Sequence, residues 1–415
     1  MNRRDLLVRG TAATAALVGA RNVAAEALRQ AAAAGDWATL RSSYGLAPDV
    51  VYLNHASIGT MPKPLSAARN RYLDLCETNP WLYMWGGAWE EGREDTRARA
   101  GALLGCAPTD VAITHNTTEG FNLLAQGLPL EVGDEVLFSS LNHAGATVCW
   151  EQQAARRGFV TRRFDFPVLD AADLRAEDVV EIYAREIRDN TRVLVFPHVD
   201  NIVGVRYPLA AMAGRAHAAG VEFVAVDGAQ TAGMLPLAIA ESGVDFYSTS
   251  AHKWIQGSKG MGLLYVRSEL QARVEPMWTT WGQSRWAGTI RAFEDYGTRN
   301  LAETLMLGDA ITFQQDLGAT RSAARLRRLH GYAQAAVDAS PRLHWRSPRT
   351  WDDGASLYAI HVDHVDAGAA SERIYASDGI VLRPFGGELN TLRLSPNVIT
   401  SEAEIDTFVR AVENL

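Results

Sequence analysis

The sequence predicts an α/β protein: a three-layer α/β/α large domain around a mostly parallel seven-stranded sheet, then a smaller C-terminal α/β domain. Two observations carry this. Seven short runs rich in Val, Ile, Leu and Phe recur between residues 111 and 266, with helical patterns between them. Past residue 278 the texture changes to a Trp-, Gly- and Arg-rich stretch, followed by long helices and three more strand-like runs.

In chain order, "ALRQAAAAGDWATLRSSYGL" reads as helix and turn and leads into "VVYLNHASIGTMP", a short strand broken by Gly59 and Pro62. Strands are expected at 111–114, 135–139, 159–164, 193–199, 222–226, 245–249 and 262–266. Helices are expected at 145–157 and at 209–219, the latter closed by Gly220. After "WTTWGQSRWAGTIRAFEDYGTRN" (278–300) come helices over 301–339 and strands at 356–362, 380–384 and 391–395. The expected division is 26–60 as a segment packing on the small domain, 61–295 as the large domain and 296–415 as the small one. In parallel sheets of this kind ligands sit beyond the carboxyl ends of the strands.

Hydrophobic residues make up 47% and charged residues 21% of the 415, an ordinary globular balance. A net charge of −8 and the lack of any long basic run speak against nucleic acid as a partner. Residues 1–25 differ from the rest. "NRRDLLV" is close to a twin-arginine export pattern, and an Ala-rich apolar stretch with small residues at Val23 and Ala25 follows it. That predicts a cleaved signal, the twin-arginine translocase as a transient partner, and a folded protein delivered to the periplasm. No other segment reaches the ~18 apolar residues of a membrane span, so no stable membrane association is expected. Cys76, Cys106 and Cys149 form no CxxC pair or disulfide framework and read as packing residues.

The chemistry begins with lysine scarcity. Of 40 Lys and Arg residues only Lys63, Lys253 and Lys259 are lysines, and two of these share "STSAHKWIQGSKG" (248–260). Arginine substitutes for lysine in most surface roles, but its guanidinium stays protonated and cannot act as an amine nucleophile. Lys253 follows His252 and Ser250 at one strand end; Asp227, with Gly228 and Gln230, ends another in "VEFVAVDGAQTAG". "VAITHNTTEGFNLL" ends a third strand and opens a helix with Asn116 and Glu119 in a capping-box layout. The free N–H groups near Thr117 and Thr118 there form a candidate phosphate cradle. A nucleophilic amine, a carboxylate and an anion site on one rim are what a phosphorylated pyridine aldehyde needs.

From residue 50 to the end, the chain resembles the class V, fold-type I pyridoxal-phosphate enzymes, most closely the isopenicillin N epimerase-like branch. The shared blocks are "YLNHASIGTMP", "THNTTEGFNLL", "LNHAGATVCW", "HVDNIVGV", "VDGAQTAG", "SAHKWIQGSKGMG", "YGTRN" and "RLSPNVITSEAEID". The resemblance implies pyridoxal 5′-phosphate joined to Lys253, which then moves protons as general base and acid. It implies Asp227 on the pyridine nitrogen, His143 against the ring face, and Asn201 and Gln230 on the phenolate oxygen. Thr118, Ser250, His252 and the backbone of Thr117 would take the phosphate. Thr298 would reach the phosphate of a neighbouring subunit, implying a homodimer with shared sites. Arg393 would clamp a substrate carboxylate; Asn54, Trp281 and Arg383 lie in segments that should face the substrate.

Each residue also has a plainer reading. Asp before Gly is a common turn former, His143 alone a helix-start or core histidine, and Arg393 alone a surface strand arginine. "HVDHVD" (361–366) offers two His without a Cys or third ligand, so no metal is expected. "GSKGMG" precedes a strand, which argues against a dinucleotide loop. The expected activity is exported PLP-dependent transamination, epimerisation or side-chain tailoring of an amino acid, or of an amino-acid residue in a peptide such as a siderophore. A cysteine desulfurase or C–S lyase is the alternative, but "ASDGIVLRPFGGELNTLRLSP" lacks the Cys that desulfurases carry upstream of the substrate arginine. A non-catalytic amino-acid or peptide binder on the same fold would be marked by loss of Lys253 or Asp227, and both are present.

Overall fold

The computed structural model describes residues 26–280 and 282–415. The expected leader (1–25) and Trp281 lie outside the described residues. The chain starts with helices α1 (Glu26–Ala34) and α2 (Trp37–Ser42), then strand β1 (Val51–Tyr52), shorter than the sequence suggests. β1 pairs in parallel with Ile380–Val381, and Arg41 forms an ion pair with Glu404 at 2.8 Å, so this segment binds to the C-terminal part of the chain. Helices α3 (Lys63–Thr78), α4 (Pro80–Trp85) and α5 (Gly87–Leu104) follow.

The central sheet contains β2 (Val111–Thr114), β3 (Glu135–Ser139), β4 (Val160–Phe164), β5 (Thr191–Pro197), β6 (Phe223–Asp227), β7 (Phe246–Ser250) and β8 (Gly262–Val266). Their order is β2-β8-β7-β6-β5-β3-β4, and only β8 runs against the others. The seven expected strands are all present, with ends shifted by a residue or two. Their residues alternate between two cores: Val136, Phe138, Val193 and Val195 face one, Leu137, Leu194 and Phe196 the other. Each core is closed by helices, giving three layers. Helices α6 (Thr117–Gly127) and α7 (Val148–Arg157) supply Phe121, Leu124 and Trp150 to the first core. Helix α8 (Ala176–Glu186) gives Val179 and Tyr183 to the second, and α9 (Leu209–Ala218) gives Met212 and Ala216.

The helices expected over 301–339 are two in the structure. α10 (Leu301–Leu317) ends at Gly318, whose φ of 74° breaks the run, and α11 (Ala319–Asp338) restarts after it. α10 is buried on most of its surface and packs on α3 and α5. β9 (Leu343–Trp345), unread in the sequence, and β10 (Tyr358–Val362) join β12 (Arg383–Phe385) and β13 (Thr391–Leu394) in an antiparallel sheet of order β12-β13-β10-β9. The run expected at 380–384 divides between β11 (Ile380–Val381), which takes β1 as partner, and β12. Helices α12 (Ala367–Asp378) and α13 (Glu402–Glu413) complete this part. Ser401 and Glu404 form a full capping box at the start of α13. Among the described residues, no helix is long and apolar enough to cross a membrane.

Candidate active site

Six of the seven central strands point the same way, so their carboxyl ends form one rim. It receives Thr117 and Thr118 after β2, His143 after β3, Asn201 after β5, Asp227 at the tip of β6, and Ser250, His252 and Lys253 after β7.

Lys253 is half-buried on a turn held from several sides. Gly257 N–H donates to the Ala251 carbonyl at 2.8 Å, and Trp254 Nε1 donates to Gln230 Oε1 at 2.8 Å. Gln256, at φ 61°, is a rare non-glycine left-handed residue; Tyr44 Oη donates to its Oε1, and Asn397 accepts from its Nε2 at 3.5 Å. The 54–60 loop lies on this turn. Gly59 N–H donates to the His252 carbonyl at 2.7 Å, and a Cβ on Gly59 would stand 2.2 Å from the Lys253 carbonyl oxygen. Only glycine permits that approach.

The Lys253 amine lies below its ordinary pKa, chiefly because of burial; the Asp227 carboxylate pulls it back up and Arg393 pushes it further down. Asp227 is 7% exposed, and its Oδ1 accepts from Ala229 N–H at 2.9 Å. Its other oxygen has no hydrogen bond from protein among the described residues. His143 accepts from Gly145 N–H through Nδ1 at 3.0 Å, which puts the proton of the neutral ring on Nε2. Desolvation lowers the His143 pKa, the Asp227 field raises it, and Lys253, Arg393 and Arg383 lower it again. These five side chains share one electrostatic environment.

The helix cradle departs from the expected layout: the capping box is half formed, because Glu119 Oε2 accepts from His115 N–H instead of Asn116 N–H, and the Thr117 N–H expected to be free is taken by Ser250. The Asn116 side chain accepts from Glu119 N–H at 2.9 Å. Thr117 N–H donates to Ser250 Oγ at 3.0 Å, and the two hydroxyls lie 2.7 Å apart. A Cβ on Gly120 would come within 2.2 Å of Ser248 Oγ, so glycine lets α6 settle on β7. His252 is pushed down to about 4 by desolvation, then by Lys253 and Lys259. Gln230 donates from Nε2 to the Ala56 carbonyl at 2.9 Å and accepts from Trp254, leaving one Nε2 hydrogen.

Arg393, on β13, is 2% exposed. Its Nη1 donates to the Asn201 carbonyl at 2.6 Å; its Nη2 donates to Asn54 Oδ1 at 2.8 Å and Ser57 Oγ at 2.6 Å. Its Nε is buried without a partner. Burial, then the field of Arg383, brings its pKa down to about 10. Asn54, Asn201 and Arg393 are thus one assembly. Thr298 is elsewhere: it lines a cavity of about 230 Å³ with Trp85, Trp89, Arg93, Trp286 and Arg299, and neither Lys253 nor Asp227 takes part.

Sequence reasoning missed three positioning residues. Asp200 is buried and accepts from the N–H groups of Ile202 (2.8 Å), Val203 (2.8 Å) and Val205 (2.6 Å), fixing the loop that presents Asn201. The turn signal was readable in "VDNIVGV", since Asp often binds backbone two residues on. Gln256 and Ser57 carry no such local mark. The "HVDHVD" segment gains His344, which faces His361 across β9 and β10 and pairs with Asp363 at 2.9 Å. Among the described residues, no group of three or more His, Cys, Asp or Glu is placed to hold a metal ion.

The donor set fits pyridoxal phosphate: an amine of lowered pKa beside a carboxylate with one open oxygen, an N-terminal helix cradle, and a buried guanidinium with an orphaned N–H. Comparison with known proteins agrees. The aminotransferase class V family model matches residues 51–411. The chain is 28% identical to isopenicillin N epimerase of Streptomyces clavuligerus over 408 residues, covering 92% of this chain and 99% of that protein. It is 30% identical to the isopenicillin N epimerase of Amycolatopsis lactamdurans over 406 residues, covering 91% and 98%. The crystal structure of the cysteine desulfurase CsdA from Escherichia coli superposes with a TM-score of 0.77 at 26% identity, covering 91% of this chain and 98% of that one. The chain belongs to the class V aminotransferase family and is a pyridoxal-phosphate-dependent enzyme.

Proposed function

We propose that this enzyme removes a proton from the α-carbon of an amino acid, or of an amino-acid residue in a small peptide, with Lys253 as the base. The observation that carries the reading is the pairing of a partly buried, depressed Lys253 amine with Asp227 at one sheet rim. Bound pyridoxal phosphate supplies the electron sink that stabilises negative charge on that carbon. Lys253 spends more time neutral than an exposed lysine, so its Nζ accepts the proton and later returns it. Asp227, oriented by Ala229 N–H, would hold the pyridine N–H with its second oxygen and favour the protonated ring. His143, pinned through Nδ1 by Gly145 N–H, would lie against the cofactor ring. Thr117, Thr118, Ser250 and His252 would hold the phosphate, and Asn201 and Gln230 the phenolate oxygen. Arg393 takes the substrate carboxylate, its Nε–H being unclaimed by protein.

Epimerisation and transamination share this proton removal and differ in where the proton returns. The similarity to two epimerases over nearly the whole chain favours the first. Desulfuration needs a reactive thiol. The thiols here are raised by burial, Cys76 to about 11 and Cys106 and Cys149 to about 12, so they stay protonated at neutral pH. The twin-arginine pattern supports export and tailoring of a secreted metabolite in the periplasm, and Thr298 supports a homodimer with shared sites.

The test is to incubate the holoenzyme with single-enantiomer amino acids in heavy water. Deuterium appearing at Cα, lost in Lys253→Ala, supports the reading; no exchange with any amino acid or short peptide, or sulfide release from cysteine, contradicts it. Cell fractionation and light scattering test export and the dimer.

A further inference from the structure

Two guanidinium groups meet at the substrate side of this site, and only one of them has protein partners. Arg383 on β12 and Arg393 on β13 are direct Cα partners in an antiparallel pair, so their side chains leave the sheet on one face. Like charges set opposite each other in this way are destabilising. Both Cζ atoms lie over the ring of Phe385, Arg393 at 5.6 Å and Arg383 at 5.9 Å from its centroid. Phe385 thus holds two cations within reach of one short ligand.

Arg393 is buried and tied to Asn201, Asn54 and Ser57. Arg383 is exposed and makes no hydrogen bond or ion pair to protein among the described residues. Among the described residues, neither guanidinium has a carboxylate within ion-pair distance. The buried acid nearest in effect, Asp200, has its oxygens occupied by three backbone N–H groups. Asp227 is set against Lys253 instead. A solvated surface arginine normally sits beside acids or open water; this one stands over a buried arginine and an aromatic ring at the mouth of a catalytic site. The arrangement lacks an anion.

We propose that the substrate is a dicarboxylic amino acid, its α-carboxylate held by Arg393 and its distal carboxylate by Arg383. Because both guanidiniums cover the same ring, the two carboxylates need only a few bonds between them. The inference rests on the reading of Lys253 and Asp227 given above, which places the amino group of the same ligand.

Glutarate and pentanoate separate the two questions, since neither has an amine and neither reacts. In calorimetry on the holoenzyme, glutarate should bind at least about tenfold more tightly than pentanoate, the effect of one charge-assisted contact. In Arg383→Gln that ratio should fall to about one, and Arg383→Lys should keep part of it. A ratio near one in the wild type, or one unchanged in Arg383→Gln, overturns the proposal. Borohydride fixation on Lys253 is followed in the same samples. Fixation with no glutarate preference removes the dicarboxylate reading alone, whereas absence of fixation on Lys253 removes the reading beneath it as well.

Discussion

Arg393 donates to the backbone carbonyl of Asn201 at 2.6 Å, joining a strand of the C-terminal sheet to the rim of the central one. The same guanidinium reaches Asn54 and Ser57, so one side chain draws three distant chain segments onto the site. Arg393→Lys keeps the charge but loses the planar fork. It should lower kcat/KM by about tenfold to a hundredfold, mostly through KM, measured on the best substrate found. An unchanged KM would place the substrate carboxylate elsewhere.

Gly59→Ala adds a Cβ that would stand 2.2 Å from the Lys253 carbonyl and 2.8 Å from that of His252. Backbone atoms cannot yield as a flexible side chain does. The variant should lose about 1–3 kcal/mol of stability in urea and retain less cofactor per chain after dialysis. Full cofactor content at wild-type stability would show that the loop and the turn do not need this contact.

Glu294 is the buried counterion of Arg93 and Arg97, 2.7 and 2.9 Å from the two Nη atoms of Arg97, and it accepts from Ile113 N–H at 2.7 Å. Removing it strands Arg93, whereas Arg97 keeps Glu94 and the Val111 carbonyl. Glu294→Ala should cost about 3–5 kcal/mol, read from the urea midpoint at constant m.

His55 and His198 are buried and neutral, both pushed down to about 3 by desolvation. Neither ring nitrogen of His55 has a hydrogen bond. Between pH 6.5 and 3 the unfolded chain binds protons at these positions and the folded chain does not. Their stability contribution is therefore complete above pH 6.5 and is lost as pH falls toward 3, at about 1.4 kcal/mol per pH unit for each. Urea midpoints at pH 7.5 and 5.5 should show the fall, and His55→Leu should reduce its slope. Equal slopes would mean that His55 is protonated in the fold.

Local pattern made the strand tips legible. Asp227 and Ser250 end runs of Val and Phe, and strand direction alone gathers them with Lys253 and the Asn116-capped helix. What stayed hidden depends on partners far away in the chain. Glu294 sits in a stretch without clear periodicity, and its ligands are some two hundred residues upstream. The fit of Gly59 on Lys253, and the left-handed Gln256 held by Tyr44, are likewise tertiary facts with no local signature. The sequence offers Arg383 only as a candidate to face the substrate; that it opposes Arg393 across one strand pair, over Phe385, needs the register.

With three lysines in the chain, borohydride reduction of the holoenzyme followed by peptide mass mapping has three possible targets. The pyridoxyl mass should appear on the peptide carrying Lys253, and the visible absorption band should vanish with it. The same mass on Lys63 or Lys259, or a band that survives in Lys253→Ala, would contradict the account.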